Sequence, residues 1–538
     1  MAIMKLLCSK FSYWGSLCGA TSTSHSQGGT RSIGVPARSG AYSYIGGAGA
    51  LLLLITCLFM PFPASASSTS SAIVPYVYSY SNNYYPTHSS AHTIHADARH
   101  SRTLAKQQQQ IWKQVGPYIP GEAAFDQAGF SVDISADGKR VIVGAPKNDG
   151  TGGDLSGHAR VFQFHDLKRK WLQVGNDIDG ESKFSSAGMS VGMSSNGKRV
   201  ILGAPFHDEN GFNSSHARVY EEVGGKWFQI GPDIHGEAKD DLAGFSVDMD
   251  SHGKRIIVGA HGNNGNGENS GHARVFEQSN STWVQVGNAI NGDAAHDGFG
   301  ESVGMSSDGK RVIIGSSSIN GNGYLSGRVR VYQLEDILGE WVQVGANIDG
   351  EASGDLSGAS VDISSNGTRI VIGARWNDGN GEWSGHARVF QENLLEWVQV
   401  GKDIDGEEAG DWSGRSVSMS ADGSLVAIGA PFNKDNGKEA GHVRVYTEEK
   451  GAWVQKANDI DGEGTGDRFG SSVSISSNGK RVIGGAVYHG ELDENPSGHV
   501  RIFELVDPPP PDIGASPSLS TKWLGIVSFI FLAVVELV

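Results

Sequence analysis

The sequence predicts an all-β fold, a seven-bladed β-propeller of four-stranded blades. Three observations predict it: a tryptophan-containing phrase recurs every 56 to 59 residues, each repeat carries the pattern of four short strands, and the repeat region begins with one strand too many and ends with one too few. Glycine supplies 76 of the 538 residues and charged residues only 19%, which favours short strands joined by tight turns. The repeated tryptophans are Trp112, Trp171, Trp227, Trp283, Trp341, Trp397 and Trp453.

The four-strand pattern is clear in the fifth repeat. Residues 360–364 alternate between apolar and polar, residues 365–367 form a turn, and residues 370–374 are an apolar run. A glycine-rich loop leads to a third run at 386–390, and the tryptophan phrase at 397–401 supplies the fourth strand. Asn-Gly or Asp-Gly occupies the turn in six of the seven repeats, and these are the dipeptides that a two-residue hairpin requires.

The two ends of the repeat region decide between a ring and an open stack. The last repeat runs from Ser471 to Leu505 without a tryptophan strand, whereas residues 112–116 form such a strand ahead of the first complete repeat. We therefore expect residues 112–116 to complete the seventh blade and close the ring. Such closure leaves no long exposed sheet edge.

A resemblance to a known family follows from the strand ends. Gly129-Phe130-Ser131-Val132 followed by Val143-Gly144-Ala145-Pro146 resembles the FG-GAP repeat, which builds the seven-bladed heads of integrin α chains. The resemblance covers residues 112–505 and implies a propeller and a role in surface recognition. The calcium sites of that family lie in the hairpin between the first two strands. Here residues 135–140 hold one acid and two bases, so that inherited site is predicted to be absent.

The two ends of the chain carry segments that differ from the repeats. Residues 1–66 combine basic residues, an apolar stretch and a small-residue site, as a signal peptide or a signal anchor does. Residues 67–111 are predicted to be a disordered linker rich in Ser, Tyr and Gln, and residues 506–523 a proline-rich stalk. Residues 524–538 form a hydrophobic tail, interpreted as a glycolipid-anchor signal or a tail anchor. The chain is thus expected to follow the secretory pathway to the cell surface and stay anchored in the membrane.

Charge and cysteine content exclude several functions. The formal net charge of −16 opposes binding to nucleic acid, and all three cysteines precede residue 60. The repeats therefore hold neither a disulfide framework nor a thiolate metal site. The sequence contains no nucleophile elbow, zinc-protease helix or phosphate-binding loop, so we predict no enzyme activity.

Clustered acids in the loops that enter the blades are candidate metal ligands. The Asp-x-Asp-Gly-Glu motif offers several carboxylates that suit Ca²⁺ or a cationic ligand, and its alternative role is to form tight turns on a soluble surface. No cofactor is required by the sequence, and Ca²⁺ is the candidate ion. The candidate metal ligands are Asp177, Asp179, Glu181, Asp403, Asp405, Glu407, Asp459, Asp461 and Glu463.

Residues present in only one repeat are candidates for ligand binding, because residues repeated sevenfold serve the scaffold. Aromatic rings beside acids can stack on a sugar or a peptide, or they can fill the interface between blades. The copy-specific aromatic residues are Tyr324, Trp376, Trp383 and Trp412. The sequons at Asn213, Asn280 and Asn366 are candidate glycosylation sites.

Two positions of the third strand repeat almost without change. Histidine stands at its start in six repeats and is interpreted as hydrogen-bonded within its own blade. The arginine two residues later, present in all seven repeats, is likewise expected to have its partner in the same blade.

The sequence favours a monomeric, glycosylated adhesion or recognition module that presents an acidic face to an extracellular protein or glycan. Two alternatives stay open. One is a glycoside hydrolase or polysaccharide lyase that uses Asp and Glu on the same face, and the other is a structural surface-coat protein without a discrete ligand.

Overall fold

The computed structural model describes residues 110–208, 211–488 and 496–508, and all regular structure in these ranges is β-strand. The predicted leader and hydrophobic tail lie outside the described residues, as do the linker up to residue 109 and the stalk from residue 509. No helix in the described ranges is long and apolar enough to cross a membrane.

The strands form seven antiparallel sheets that follow one another along the chain. Blade 1 contains β3 (Ser131–Ile134), β4 (Arg140–Ala145), β5 (His158–His165), β6 (Lys170–Gln173) and β7 (Ile178–Asp179). Blade 2 contains β8 (Ser190–Met193), β9 (Arg199–Ala204), β10 (His216–Val223), β11 (Lys226–Gln229) and β12 (Ile234–His235). Blade 3 contains β13 (Ser246–Met249), β14 (Arg255–Ala260), β15 (His272–Ser279), β16 (Thr282–Gln285) and β17 (Ile290–Asn291). Blade 4 contains β18 (Ser302–Met305), β19 (Arg311–Ser316), β20 (Arg328–Glu335), β21 (Glu340–Gln343) and β22 (Ile348–Asp349).

The remaining blades follow the same order. Blade 5 contains β23 (Ser357–Ile363), β24 (Arg369–Ala374), β25 (His386–Asn393), β26 (Glu396–Gln399) and β27 (Ile404–Asp405). Blade 6 contains β28 (Ser416–Met419), β29 (Leu425–Ala430), β30 (His442–Glu449), β31 (Ala452–Gln455) and β32 (Ile460–Asp461). Blade 7 contains β33 (Phe469–Ile475), β34 (Arg481–Ala486) and β35 (His499–Val506), together with β1 (Ile111–Gln114) and β2 (Ile119–Pro120).

The predicted ring closure is confirmed. Strand β1 pairs antiparallel with β35, with Trp112 opposite Leu505. The first strands of neighbouring blades contact one another around the whole ring, and β33 of the last blade contacts β3 of the first. The predicted all-β propeller with seven four-stranded blades is therefore the fold, and each blade carries in addition a two-residue strand that pairs with its third strand.

The hydrophobic core is divided among the seven interfaces between blades. Between blades 1 and 2, for example, Ile142 and Val161 of the first blade pack with Val191 and Leu202 of the second, all at most 8% exposed. Comparable clusters lie at the other six interfaces. This arrangement follows from the alternating pattern of the strands, which gives every blade two apolar faces.

The repeated tryptophans also join neighbouring blades. The indole Nε1 of Trp227 donates to the carbonyl of Val174 in the preceding blade at 2.7 Å. The same bond is made around the ring, and Trp112 completes it by donating to the carbonyl of Lys456 at 3.0 Å. The period seen in the sequence is therefore the period of an interblade hydrogen bond.

Glycine at the end of the second strand allows the blades to approach closely. A Cβ atom at Gly203 would lie 1.8 Å from the carbonyl oxygen of Gly244 in the next blade, too close for any side chain. We expect Gly203→Ala to lower the free energy of unfolding by about 3 kcal/mol or more, because the backbones must move apart. Chemical denaturation measures this, and Gly464→Ala is the control because its Cβ would meet no atom within 4 Å. Equal stability of the two variants would contradict the prediction.

Candidate functional site

The loops of each blade lie at two ends of the strands. Loops between the second and third strands contact the loops that lead into the next blade, as in the bridge between Gly157 and Ala187 and the 3.1 Å ion pair between Lys183 and Asp154. We call this end the loop face. The hairpin turns lie at the other end, where the amide of Ala136 donates to the carbonyl of Ser195 at 2.9 Å. All the residues predicted to bind a metal or a ligand lie on loops or strand ends of the loop face.

Three of the four predicted ligand-binding aromatics lie together. The ring centroid of Trp376 is 5.9 Å from that of Trp383 and 6.0 Å from that of Trp412. Trp412 in turn lies 4.2 Å from Phe432, so the four rings form one aromatic cluster across blades 5 and 6. Trp383 is 46% exposed, whereas Trp376 and Trp412 are half-buried. Tyr324 of blade 4 is 71% exposed, and none of these ring contacts includes it.

The backbone presents two of these indoles at unusual positions. Trp383 and Trp412 have φ angles of 56° and 58°, in the left-handed region that residues other than glycine rarely adopt. The amide of Trp412 donates to the carbonyl of Trp383 at 3.2 Å, which ties the two loops together. The indole Nε1 of Trp376 is buried and has no hydrogen-bond partner within the described part of the chain. The cluster thus offers one open ring face and one unused donor.

A cavity of about 200 Å³ adjoins the aromatic cluster. Trp412 and Phe432 line it together with Tyr488, Arg415 and Arg468. Sequence analysis missed these last three residues and Phe432. The signal for Tyr488, Arg415 and Arg468 was available, because each of them occurs in one repeat where the others carry a different residue, whereas Phe432 has a counterpart in Phe206.

A second cavity, of about 350 Å³, lies on the ring axis and is lined by the first strands of all seven blades. Arg375, Arg415 and Glu301 place charged groups in it. Glu301 accepts hydrogen bonds from the amide and hydroxyl of Ser317. Burial lowers the pKa of Arg415 to about 10, with a smaller contribution from the charge of Arg375. Neither guanidinium makes a hydrogen bond or ion pair with any residue that the structure describes.

The acidic motifs are divided between sites. Asp177 lies with Glu122 and His158, whereas Glu181 of the same motif lies with His216 and Asp233 in the next blade. The motifs at residues 177–181 and 403–407 thus each contribute their first acid to one site and their last acid to the next. The most complete group is in blade 6, where Glu407 meets Asp459 of the following motif, with Asp435 and His442. Sequence analysis missed Asp435, and it interpreted the repeated histidines as scaffold residues although they precede the first acid of a motif at a nearly constant spacing.

The remaining candidate metal ligands have other contacts. Asp403 lies with Glu351 and His386 and also accepts a hydrogen bond from the side-chain amide of Gln399 at 2.7 Å. Asp179 accepts a hydrogen bond from the hydroxyl of Thr151 at 2.7 Å. Asp405 and Asp461 lie on the short strands, opposite His386 and His442 in the strand register. Glu463 forms an ion pair with Arg501 at 3.5 Å.

The repeated arginines join blades, and a partner within the same blade is found only for Arg330 (Asn347), Arg388 (Ser357) and Arg501 (Gln114), so the expectation is wrong for the other four. Arg444 of blade 6 donates to the carbonyl of Asp405, on the short strand of blade 5, at 2.8 Å. It also forms an ion pair with Glu407 of the connecting loop at 3.2 Å. The error arose because the sequence does not show that the short strand stays with the preceding blade.

The repeated histidines also differ from expectation. They are 1% exposed, and several of their ring nitrogens have no hydrogen-bond partner within the described part of the chain. These are Nε2 of His158, His272 and His386, Nδ1 of His442 and both ring nitrogens of His216. His216, which lacks a partner on both nitrogens, is thus contrary to the predicted bond within the blade. Burial, with the adjacent arginine, lowers the pKa of His442 to about 3, so its imidazole is neutral at pH 7.

The three sequons lie on turns. Asn280 and Asn366 are exposed, whereas Asn213 is half-buried and its side-chain amide lies 3.5 Å from Asp240. Asn366 accepts hydrogen bonds from the amide and hydroxyl of Thr368. Glycosylation of all three remains a prediction.

Comparison with known proteins agrees with the repeat pattern. Residues 344–390 and 397–446 match the FG-GAP repeat family. No curated protein sequence matches the chain. Among solved structures, a chain of hydrazine synthase from Kuenenia stuttgartiensis is similar, with a TM-score of 0.44 and 12% sequence identity over 69% of this chain and 94% of that chain. The chain is a seven-bladed β-propeller, and residues 344–390 and 397–446 are similar to FG-GAP repeats.

Proposed function

We propose that this propeller is a cell-surface recognition module that binds an extracellular glycan at the aromatic cluster of Trp376, Trp383, Trp412 and Phe432. An FG-GAP propeller is a binding module in general terms. The observation that carries the finer proposal is the aromatic cluster itself, which breaks the sevenfold repeat and keeps an indole face open to solvent. A sugar ring presents C–H groups that stack on such a face, and its hydroxyl groups need polar partners nearby.

The polar partners are present beside the rings. The guanidinium of Arg415, which makes no hydrogen bond or ion pair with a described residue, lines both the axial cavity and the cavity next to Trp412. The Nε1 of Trp376 is buried, so it would be a further donor only for a ligand group that enters between the rings. A ligand that stacks on Trp383 and reaches these groups would gain both apolar contact and hydrogen bonds. The acidic loops around the cluster would then select against ligands with many negative charges.

Replacing Trp376 and Trp383 together with alanine is expected to abolish glycan capture without a large change in melting temperature. Loss of stacking removes about 1 kcal/mol per ring or more, enough to eliminate the weak binding typical of single sites. A glycan array of neutral and uronic-acid oligosaccharides measures capture, with Phe228→Ala as the control because Phe228 is an aromatic residue 53% exposed on an outer strand.

Three outcomes would count against the proposal. Unfolding of the double variant at the assay temperature would show that the indoles fill an interface. Shortened oligosaccharides in the product analysis would favour a glycan hydrolase or lyase. Unchanged capture by the double variant would move the ligand elsewhere, and Tyr324→Ala then tests blade 4.

The proposed cellular location follows from the segments at the two ends of the chain. We propose that the leader directs the chain into the secretory pathway and that the tail holds it at the cell surface. A ligand-binding face on a proline-rich stalk would then point away from the membrane.

A further inference from the structure

We propose that Glu407, Asp435, His442 and Asp459 in blade 6 form a binding site for one divalent transition-metal ion, with Zn²⁺ as the best fit. One ligand atom from each of these residues lies within 4.8 Å of the others. This inference goes beyond the glycan site, because none of the four residues belongs to the aromatic cluster.

The first argument is the imidazole of His442. The side chain is 1% exposed and its Nδ1 lies 3.7 Å from Oε2 of Glu407, without a hydrogen-bond partner within the described part of the chain. A buried nitrogen that lacks a partner costs about 1 to 3 kcal/mol. A metal ion among the carboxylates would use the lone pair on this nitrogen and remove that cost.

The second argument is charge. Three carboxylates converge on one point. Among the described residues, one guanidinium reaches them: Arg444 forms an ion pair with Glu407. Asp459 is held by the neutral amide of Gln455, at 2.5 Å from its Nε2. Asp435 and Glu407 remain exposed, so an ion and its water ligands can enter from solvent. The cluster therefore carries negative charge that a divalent cation would balance.

The third argument comes from blade 4, where the repeat differs. Arg328 occupies the histidine position there, and its guanidinium lies 3.8 Å from Asp293 and 2.5 Å from Asp349. The position that corresponds to Asp459 holds Asn347. Blade 4 thus supplies its own cation and has lost one acid. In blade 6 the neutral His442 supplies no charge, and the acids are complete.

The donor set selects the metal. Ca²⁺ and Mg²⁺ take oxygen ligands, whereas an imidazole nitrogen with carboxylates is a ligand set for Zn²⁺ and related ions. The same acids that suggested Ca²⁺ in the sequence therefore point to Zn²⁺ once the histidine joins them. Glu407 lies on the connection from blade 5, so the ion would fasten this connection to blade 6.

Isothermal titration calorimetry with Zn²⁺ and with Ca²⁺, after removal of metals with EDTA, tests the site in the folded protein. Asp435→Gly is the decisive variant, because Gly150 and Gly379 occupy this position in blades 1 and 5 and the backbone tolerates glycine there. His272→Gln is the matched control, since blade 3 has Ala289 in place of the second acid and no complete cluster.

We expect the unaltered protein to bind one Zn²⁺ at least tenfold more tightly than any further Zn²⁺, and Ca²⁺ far more weakly. Asp435→Gly should lose this tight phase, whereas His272→Gln should keep it. The melting temperature should rise with Zn²⁺ in the same variants that show the tight phase. No tight Zn²⁺ phase in the unaltered protein, an equal phase in Asp435→Gly, or preference for Ca²⁺ would each overturn the proposal. Glycan capture is also measured in EDTA. Because EDTA removes the metal ion, this measurement reports on the aromatic cluster independently of the proposed Zn²⁺ site.

Discussion

A variant that begins at residue 117 is expected to lose its folded monomeric state. It lacks β1, whose four residues pair with β35, and it lacks Trp112, which is 6% exposed at the interface of blades 6 and 7. Loss of a buried tryptophan alone costs about 3 to 5 kcal/mol, and the missing ladder adds to this cost. The exposed edge of β35 would also offer a template for pairing with another chain.

The comparison is with a variant that begins at residue 110. Size-exclusion chromatography with light scattering and thermal unfolding distinguish the two variants. Trp112→Phe keeps β1 but removes the indole hydrogen bond to Lys456, so it separates the contribution of the strand pairing from that of the hydrogen bond. We expect the longer variant to be monomeric and Trp112→Phe to be folded but less stable. If the variant that begins at residue 117 is as stable and as monomeric as the variant that begins at residue 110, ring closure by β1 contributes little to the stability of the propeller.

Acidification from pH 7 to pH 4.5 is expected to destabilise the propeller strongly. Burial lowers the pKa of His216 to about 2 and those of His272 and His442 to about 3, against 6.5 for exposed histidine. A lowered pKa in the folded state means that stability is complete above pH 6.5 and is lost as the pH falls toward 3. At pH 4.5 each of these three histidines costs about 3 kcal/mol, because only the unfolded chain is protonated.

Three aspartates on the first strands of blades 1, 3 and 5 act in the opposite direction. Burial raises the pKa of Asp133 and of Asp362 to about 6, so their contribution to stability increases as the pH falls through 6. Burial, with the charges of these two aspartates, also raises the pKa of Asp248 well above its ordinary value. All three side chains are only half-buried, and contact with solvent reduces this gain. The fully enclosed histidines therefore dominate, and the net change on acidification is a loss of stability.

Thermal unfolding in EDTA between pH 7.5 and 4.5 measures this effect. His272→Gln removes one buried histidine. We expect this variant to have a lower free energy of unfolding than the unaltered protein at pH 7.5, and this difference should be about 3 kcal/mol smaller at pH 4.5. His252→Gln, at an exposed hairpin turn, should follow the unaltered protein at every pH. A melting temperature that stays constant or rises below pH 6.5 would contradict the prediction.

The fold was predictable because its signals are local and repeated. The spacing of Trp112 to Trp453, the Asn-Gly turns and the surplus first strand describe a closed ring without reference to any distance in space. At the candidate site the same kind of signal selected Trp376, Trp383 and Trp412, because they break the repeat. Arg415 was missed although it breaks the repeat too, and Phe432 was missed because Phe206 stands at the same position of blade 2.

By itself, the sequence determined the number of blades, the order of the strands and the strand that closes the ring, because each depends on patterns between neighbours along the chain. Only the tertiary structure decided which charged groups meet. Each acidic motif spans the junction of two blades, so Glu181 and Asp177 separate while Glu407 and Asp459 converge on His442. That sorting depends on how adjacent sheets pack face to face, and a one-dimensional period carries no information about it.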